Sequence, residues 1–401
     1  MTRPPPQGPL AGVRVVEFAS FIAGPYAGQL LADLGAEVVK VEHPDGGDPF
    51  RAFAGGGYGP HFLAYNRNKR SVVLDVRTED GQRVVRRLLA DADVLVENSR
   101  PGVMARLGLG YDTVHSWNER LIYCSVSGFG QDGPAAHRPV YDTVGQALGG
   151  MLGQNLEPER PRVIGPAMAD GIAGLTAAYA VLAGLHARDR LGIGQHVDVS
   201  MFAAVAAFLS SEASLWHHTG DRGGPRRRPS MSQSYAFACA DGRVMTVHLS
   251  SPPKFWKGLA AAVDRPDLLE DPRFSSREAR VENFEELHDL LAGEFARRPC
   301  VEWEHRLGEH DVPHAHVNAI DEVFGEPQAR HLGLELRLQH PSEGEVVTVA
   351  PPARFSATPW AGLHAPPVLG EDTDAVLAEL GLLGTPRRPG GPSTATASGH
   401  G

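Results

Sequence analysis

The segment VRVVEFASFIAGPYAGQLLADLGAEVVKVEHP, residues 13–44, decides the fold class. VRVVEF (13–18) is a short apolar run and reads as a buried strand. GPYAGQLLADLG (24–35) has apolar residues at helical spacing and stops at a glycine. EVVKVEHP (37–44) is a second strand, ended by proline. The alternation continues outward. SVVLDV (71–76), DVLVENS (93–99) and LIYCSVSGFG (121–130) read as strands. TEDGQRVVRRLLADA (78–92), with Thr78 as cap, and PGVMARLG (101–108), with Pro101 near its start, read as helices. Short apolar strands separated by helices predict a parallel α/β sheet.

Beyond residue 170 the pattern changes. Two longer helices are predicted over 172–189 and 199–216, with a short strand, QHVDV, between them. TGDRGGPRRRPS (219–230) is the strongest linker signal in the chain. SYAFACADGRVMTVHL (234–249) predicts a hairpin turning at Asp241-Gly242, and helices follow over 255–263 and 283–297. Near Val323 the chain returns to sheet-like sequence, with EVVTVA (345–350) and a last helix over 372–381. The expected organisation is a flexible start (1–10), a large domain (11–220), a linker (221–230), a smaller α+β domain (231–322), a return to the large domain (323–384) and a disordered tail (385–401).

Composition narrows the function. At about 150 residues per domain, 401 residues suit two or three domains. A net charge of −10 argues against a nucleic-acid partner. Hydrophobic residues at 42% supply a full core. Cys124, Cys239 and Cys300 are odd in number and far apart, which excludes a disulfide scaffold and a C-x-x-C metal knuckle. The first residues lack the apolar core of a signal peptide, and the apolar run Ile172–Leu185 is short for a membrane span, so a cytoplasmic protein without a membrane partner is expected.

Ligands of open parallel sheets bind beyond the carboxyl ends of the strands. Those ends here carry ASFIAGP, EHPDGGDP, ENSRPG and SGFGQDGP. No G-x-G-x-x-G follows the first strand, and no G-x-x-x-x-G-K-[ST] or G-x-S-x-G occurs. Arg67, Lys69 and Arg70 precede one strand, Arg100 and Arg106 flank another loop beside Asn98, and Arg138 lies on a third. Such cations either converge on a phosphorylated ligand or sit on solvated loops. Asp170 opens a strongly apolar helix, with Gly171 and Gly174 leaving room for a ligand. The helix N-terminus is expected to keep that carboxylate ionised, so it suits a nucleophile toward an activated acyl group, and equally an ordinary N-cap. His310, His314 and His316 lack a completing ligand, so no metal site is expected. Arg226–Arg228 reads as solvated linker, with a phosphate contact as the alternative.

These segments resemble the family III CoA-transferases, the group that includes the formyl-CoA:oxalate and carnitine CoA-transferases. The likeness runs from PLAGVRVVEF at residue 9 to LGEDTDAVLAELG ending at 381. AGPYAGQLLADLGAEVVKVEHP-x-GGDP, NRNKRSVVLDV, VENSRPGVMARLGLGYD, SVSGFGQDGP, GPAMADGIAG and GQHVDVSMFAA carry it, and DPRFSSREARVEN, DVPHAHVN and PPARFSATP fit late in the chain. The resemblance implies a Rossmann-like large domain built from both ends of the chain, a small middle domain, and two subunits interlocked as an obligate homodimer. It places the nucleophile on Asp170. It places CoA contacts on Ser20, Phe21, Ile22, His43, Asn66, Arg67, Asn68, Lys69, Asn98, Ser99, Arg100, Arg106, His137, Arg138, Pro139 and Val140.

The implied chemistry is transfer of CoA from an acyl-CoA thioester to a small carboxylic acid. It runs through an aspartyl anhydride and an aspartyl-CoA thioester, with coenzyme A as substrate and no tightly bound cofactor or metal. Water must be excluded, which small residues around Asp170 and a lid from the partner subunit would do, and backbone N–H groups at the helix start would hold the oxyanion. Two departures stand out. Ser99 replaces the Phe of the family's E-N-F-R-P-G, and Ile22 stands where the oxalate enzyme has Gln, whose Gly-rich lid also has no counterpart here, which argues against oxalate as acceptor. Two other functions fit the likeness. One is an α-methylacyl-CoA racemase using Asp170 in acid–base chemistry, though its His position holds Tyr141. The other is a non-catalytic CoA-binding subunit. Residues 230–250 and 310–318 are expected to shape the acyl pocket.

Overall fold

The structure, a computed structural model, describes residues 7–53, 58–157, 159–360 and 362–382. The chain forms two compact units. One comprises the residues up to Met151, Gly165–Ser210 and those from Gly333 on; the other comprises Leu152–Ile164 and Ser211–Leu332. The division falls at Ser210/Ser211, ahead of the Gly/Pro/Arg run expected as linker at 221–230, and the chain rejoins the first unit at Gly333. The physical reason lies in the helix Ser210–Thr219, which buries none of its residues and so ends the first core. The run itself is folded: Asp221 pairs with Arg227, and Gly224 N–H donates to Gln154 Oε1 at 3.0 Å. Residues 7–10, expected to be loose, are anchored by Leu10 N–H on the Leu34 carbonyl at 2.8 Å. The expected tail at 385–401 lies outside the described residues.

The first unit holds a parallel six-stranded sheet. Its strands are β1 (Arg14–Phe18), β2 (Glu37–Glu42), β3 (Lys69–Val73), β4 (Val94–Glu97), β5 (Ile122–Ser127) and β6 (Gln195–Ser200), in the spatial order β3-β2-β1-β4-β5-β6. The order reverses between β1 and β4, and at such a switch point the carboxyl ends of the strands open a ligand crevice. The expected strand over 71–76 begins earlier, at Lys69, because β3 pairs with β2 from Lys69↔Val38 onward. Five helices of this unit matter for the site: α1 (Ala23–Asp33), α2 (Pro60–Tyr65), α3 (Glu79–Ala90), α4 (Asp142–Leu148) and α5 (Met168–Leu191). Thr78 caps α3 as expected, accepting from Gly81 N–H at 3.1 Å.

Helix α5 packs directly on α1. A Cβ on Gly174 would lie 2.8 Å from the Ala23 carbonyl, so Gly174 serves helix contact rather than ligand room. By length and composition alone α5 would span a membrane. Here its Ala173, Ala177, Val181 and Leu185 join the core with Val15, Val94 and Ile122. The returning segment adds an antiparallel pair, β10 (Glu335–His340) and β11 (Gly344–Val349), counting the three strands of the second unit as β7–β9. It then docks on the outer edge of β3. Asp372 accepts from Ser71 N–H at 2.9 Å and returns its own N–H to the Ser71 carbonyl at 3.0 Å.

The second unit has an antiparallel sheet of β7 (Ser234–Ala238), β8 (Val244–His248) and β9 (His314–His316). Gly242, at φ +79°, makes the β7–β8 turn predicted at Asp241-Gly242. Phe237, Phe295 and Trp303 form its core, with ring centroids 4.5 Å apart in succession. His314 and His316, expected on a loop, lie on β9. His316 bridges Glu304 and Glu326, two acids that the sequence reading had not joined to it. Among the described residues no group of three His, Cys, Asp or Glu is placed to hold a metal ion.

Beneath the crevice lies a buried ion cluster. Glu17 of β1 pairs with Lys40 of β2 at 2.9 Å and Lys69 of β3 at 2.8 Å, all three side chains fully buried. Gly28 of α1 makes room for it, since a Cβ there would sit 1.9 Å from Glu17 Oε2. We expect Gly28→Ala to push the Glu17 carboxylate off its two ammonium partners and to cost about 3 kcal/mol, the scale of breaking a buried ion pair. Chemical denaturation checks this, and a change under 1 kcal/mol contradicts it.

Candidate active site

The crevice is walled by the loops after β1 and β4. Asn98 locks them together, accepting from Ser20 N–H at 3.0 Å and donating to the Ser20 carbonyl at 2.7 Å. Phe21 follows in the left-handed region, at φ +67°, where a bulky side chain sits at a cost of about 1–3 kcal/mol. Its ring is partly exposed and meets Tyr141 edge-on, with centroids 6.1 Å apart. Ile22, half-buried, opens α1.

Tyr141 leads to the nucleophile candidate. Its neighbour Asp142 accepts through Oδ1 from Ala169 N–H at 2.7 Å and Asp170 N–H at 3.1 Å. Its Oδ2 takes the Gln146 side-chain amide at 2.6 Å. Asp142, not Asp170, is therefore the carboxylate that satisfies the start of α5. Met168 and Gly171 donate their N–H groups to the Pro166 and Ala167 carbonyls. None of these four donors is left for an oxyanion, contrary to the expectation from sequence. Asp170 is half-buried at the third position of the helix, and the Cβ direction of its neighbour Gly171 is open.

The expectation that the helix terminus keeps Asp170 ionised is corrected in the same way. Burial, and then the like charge of Asp142, push its carboxyl up to about 7. Tyr65 of α2 lies close enough for the Asp170 charge, after burial, to raise its phenol. The Tyr26 ring of α1 stands 5.7 Å from that of Tyr65.

The proposed CoA contacts divide into an outer and an inner set. Exposed or half-buried at strand ends are His43, Ser99, Arg100, Arg106, His137, Arg138, Pro139 and Val140. Arg138 lies over the Phe129 ring at 5.4 Å. Ser99 N–H donates to Glu97 Oε2 at 2.8 Å. Asn66, Arg67 and Lys69 are buried. Arg67 forks onto Asp33, at 2.8 and 2.5 Å, and reaches the Val349 carbonyl at 2.7 Å. Lys69 donates to the Pro25 carbonyl and to Asn66 Oδ1, at 2.7 and 2.9 Å. Asn68, at φ +64°, binds the backbone of His364. Arg70 is held by Glu37 and Glu379. Arg67, Lys69 and Arg70 thus tie the fold together and do not converge with Arg100, Arg106 and Arg138.

Three groups near the crevice escaped the sequence reading. Arg77, just past β3, places Nη2 3.0 Å from His43 Nε2, and a cation at the carboxyl end of a strand was its signal. Glu97, at the end of β4, is pushed up to about 7 by burial. It borders a cavity of about 100 Å³ together with Arg100, Tyr111, Ser125 and His196. Asp142 stood beside Tyr141 in HRPVYD but carried no signal of its own.

Comparison with known proteins places the chain in a family. The family described as CoA-transferase family III matches residues 10–373. The chain is 36% identical over 386 residues to the succinyl-CoA–D-citramalate CoA-transferase of Chloroflexus aurantiacus, covering 94% of both chains. It is 33% identical to the succinyl-CoA:glutarate CoA-transferase of Mus musculus, over 93% of this chain and 86% of that one. A crystal structure of a CAIB/BAIF family protein from Brucella suis superposes with a TM-score of 0.83 at 35% identity, over 93% of this chain and all of that one. The parallel sheet, the two-unit chain and these matches along nearly its whole length lead to one conclusion: the protein belongs to CoA-transferase family III and is a CoA-transferase.

Proposed function

We propose that the chain moves CoA between carboxylic acids through covalent intermediates on Asp170. The observation that carries this is the half-buried carboxylate at the start of α5, set against Asp142 and linked through Tyr141 and Phe21 to the switch-point crevice. In the first step a carboxylate oxygen of Asp170 bonds to the donor's thioester carbon. The C–S bond breaks, giving a mixed anhydride and CoA thiolate. The thiolate then attacks the aspartyl carbonyl of the anhydride, releasing the donor acid and leaving an aspartyl-CoA thioester. The acceptor carboxylate attacks that thioester, and the steps reverse to give the new acyl-CoA and free Asp170. Each step exchanges one activated carboxyl for another, so the energy of the thioester is conserved.

The Asp142–Asp170 pair favours this route. An ionised Asp170 faces a like charge; an acylated Asp170 is neutral, and the repulsion is gone. The raised basicity also makes the carboxylate a stronger nucleophile once ionised. The outer set (Ser20–Ile22, His43, Asn98–Arg100, Arg106 and His137–Val140) is proposed to contact CoA, with Arg77 added beside His43. Asn66–Lys69 enter as support beneath that rim. Small dicarboxylic acids are the first acceptors to try, since the relatives' names pair succinyl-CoA with D-citramalate and glutarate. The same proposal includes a homodimer in the cytoplasm. It is supported by exposed Leu175, Tyr179 and Leu182, which form one stripe along the outer side of α5. The racemase alternative is not favoured, because Tyr141 holds the position of the racemase His and the relatives are named transferases.

Asp170→Ala should cut CoA transfer by on the order of 10⁴-fold across a panel of acyl-CoA donors and acids. Hydroxylamine should trap a wild-type aspartyl adduct seen by mass spectrometry. Full transfer by the variant ends the mechanism. With the nucleophile titrating near 7, the rate should rise about tenfold from pH 6 to pH 8 and then level off; a flat profile speaks against Asp170 as the attacking group. Stability should move the other way. A carboxyl whose value is raised by folding costs stability from about pH 4 upward, and the cost is complete above about pH 7. Asp170→Asn should therefore raise the melting temperature more at pH 8 than at pH 5.

A further inference from the structure

The loop between β1 and α1 carries four backbone polar groups around Ser20, and side chains from other elements take all four. Asn98 takes the N–H and the carbonyl of Ser20. The Ala19 carbonyl accepts from Lys40 Nζ at 2.6 Å. The Phe21 N–H donates to Asp48 Oδ1 at 3.3 Å. Lys40 and Asp48 are themselves joined, Nζ to Oδ2, at 3.0 Å. The ammonium also donates to Glu17 Oε1 at 2.9 Å. Asp48 also accepts from Phe50 N–H at 3.0 Å and donates its own N–H to Glu42 Oε2 at 3.0 Å.

Lys40 is fully buried and Asp48 nearly so. A buried ion pair is a poor source of net stability, because apolar residues of the same volume do as well or better. This pair's distinctive product is the loop conformation. Phe21 sits at φ +67°, a region a phenylalanine leaves unless its surroundings hold it there. The ring so placed packs edge-on against Phe50 at 5.4 Å and Tyr141 at 6.1 Å.

We propose that Lys40 and Asp48 are positioning residues for thioester binding: they fix the backbone of residues 19–22 so that Phe21 and Ile22 meet the CoA portion of the substrate at the switch-point crevice. Neither residue touches substrate; both act through the loop backbone. The proposal rests on the CoA-transferase reading above. It assigns the clamp to binding, whereas Asp170 and Asp142 keep their own hydrogen bonds without it, so loosening the clamp should raise KM far more than it lowers kcat.

Asp48→Ser is the informative variant. A serine hydroxyl still caps the Phe50 N–H but is too short to pair with Lys40 and hold Phe21. Folding is checked by circular dichroism and melting. Free CoA is titrated by calorimetry, and KM for acyl-CoA is measured beside kcat. The expected result is at least tenfold weaker CoA binding and a KM raised to match, with kcat within threefold of wild type. Asp48→Asn, whose amide oxygen still accepts from both N–H groups, should recover part of the affinity. A folded Asp48→Ser that binds CoA as tightly as wild type overturns the proposal, as does a fall confined to kcat. If Asp48→Ser does not fold, hydrogen exchange of the wild-type peptide spanning residues 14–26 decides: slow exchange at Phe21 supports the clamp, and exchange at the rate of an open loop overturns it. A wild type that binds no CoA overturns the underlying function reading, an outcome distinct from equal binding by wild type and variant.

Discussion

Six charges buried below the crevice govern the geometry of the first unit. Glu17, Glu42 and Asp48 face Lys40, Lys69 and Arg51, three acids against three bases. The balance removes net charge, but each group still had to leave water, and each therefore accepts only a narrow set of positions. Burial would lower Lys40, yet Glu17, Asp48 and Glu42 raise it. Lys69, with less compensation, is lowered to about 8 by burial. Burial would raise Glu42, but the Arg51 guanidinium and Lys40 hold it down to about 2. The cluster joins β1, β2, β3 and the loop after β2, so these elements are tied to one another beside the crevice.

A second pair of charges works in the opposite sense. Asp142 and Asp170 repel each other across the first turn of α5, and among the described residues no cation is bonded to either one. In the ion cluster the fold has satisfied its charges; at α5 it leaves one unsatisfied, with its ordinary acidity weakened. The helix start, which would have stabilised Asp170 had its donors been free, is spent on Asp142 instead. A half-buried carboxylate with its acidity weakened in this way adds nothing to stability, which is consistent with the role proposed for it.

The fold was legible where local pattern and global structure agree. The strands and helices of residues 13–130 follow from apolar runs, caps and glycines, because each element is stabilised by the same residues that define its period. The site was legible in part. Asp170 was singled out as a candidate through its place in a motif at the start of an apolar helix. Its protonation was misjudged because the decisive neighbour, Asp142, is 28 residues away in sequence. Arg67, Lys69 and Arg70 looked like ligand cations because a sequence shows charge and not burial. Only the structure reveals that Arg67 and Lys69 are buried and that Arg70 is held by Glu37 and Glu379. The unit boundary at Ser210 was missed because a helix without a buried face reads, in sequence, much like its continuation.

The docking of Asp372 and Thr373 onto β3 has a consequence for how the molecule is made. Ser71 and Val73 wait for partners 301 and 300 residues further along the chain. While the ribosome is still delivering the second unit, the outermost strand of the sheet presents bare N–H and carbonyl groups to any other extended chain nearby. Completion of the first unit thus waits until the second unit has been made. A nascent chain truncated before Gly370 would carry an unguarded sheet margin, open to improper association between copies.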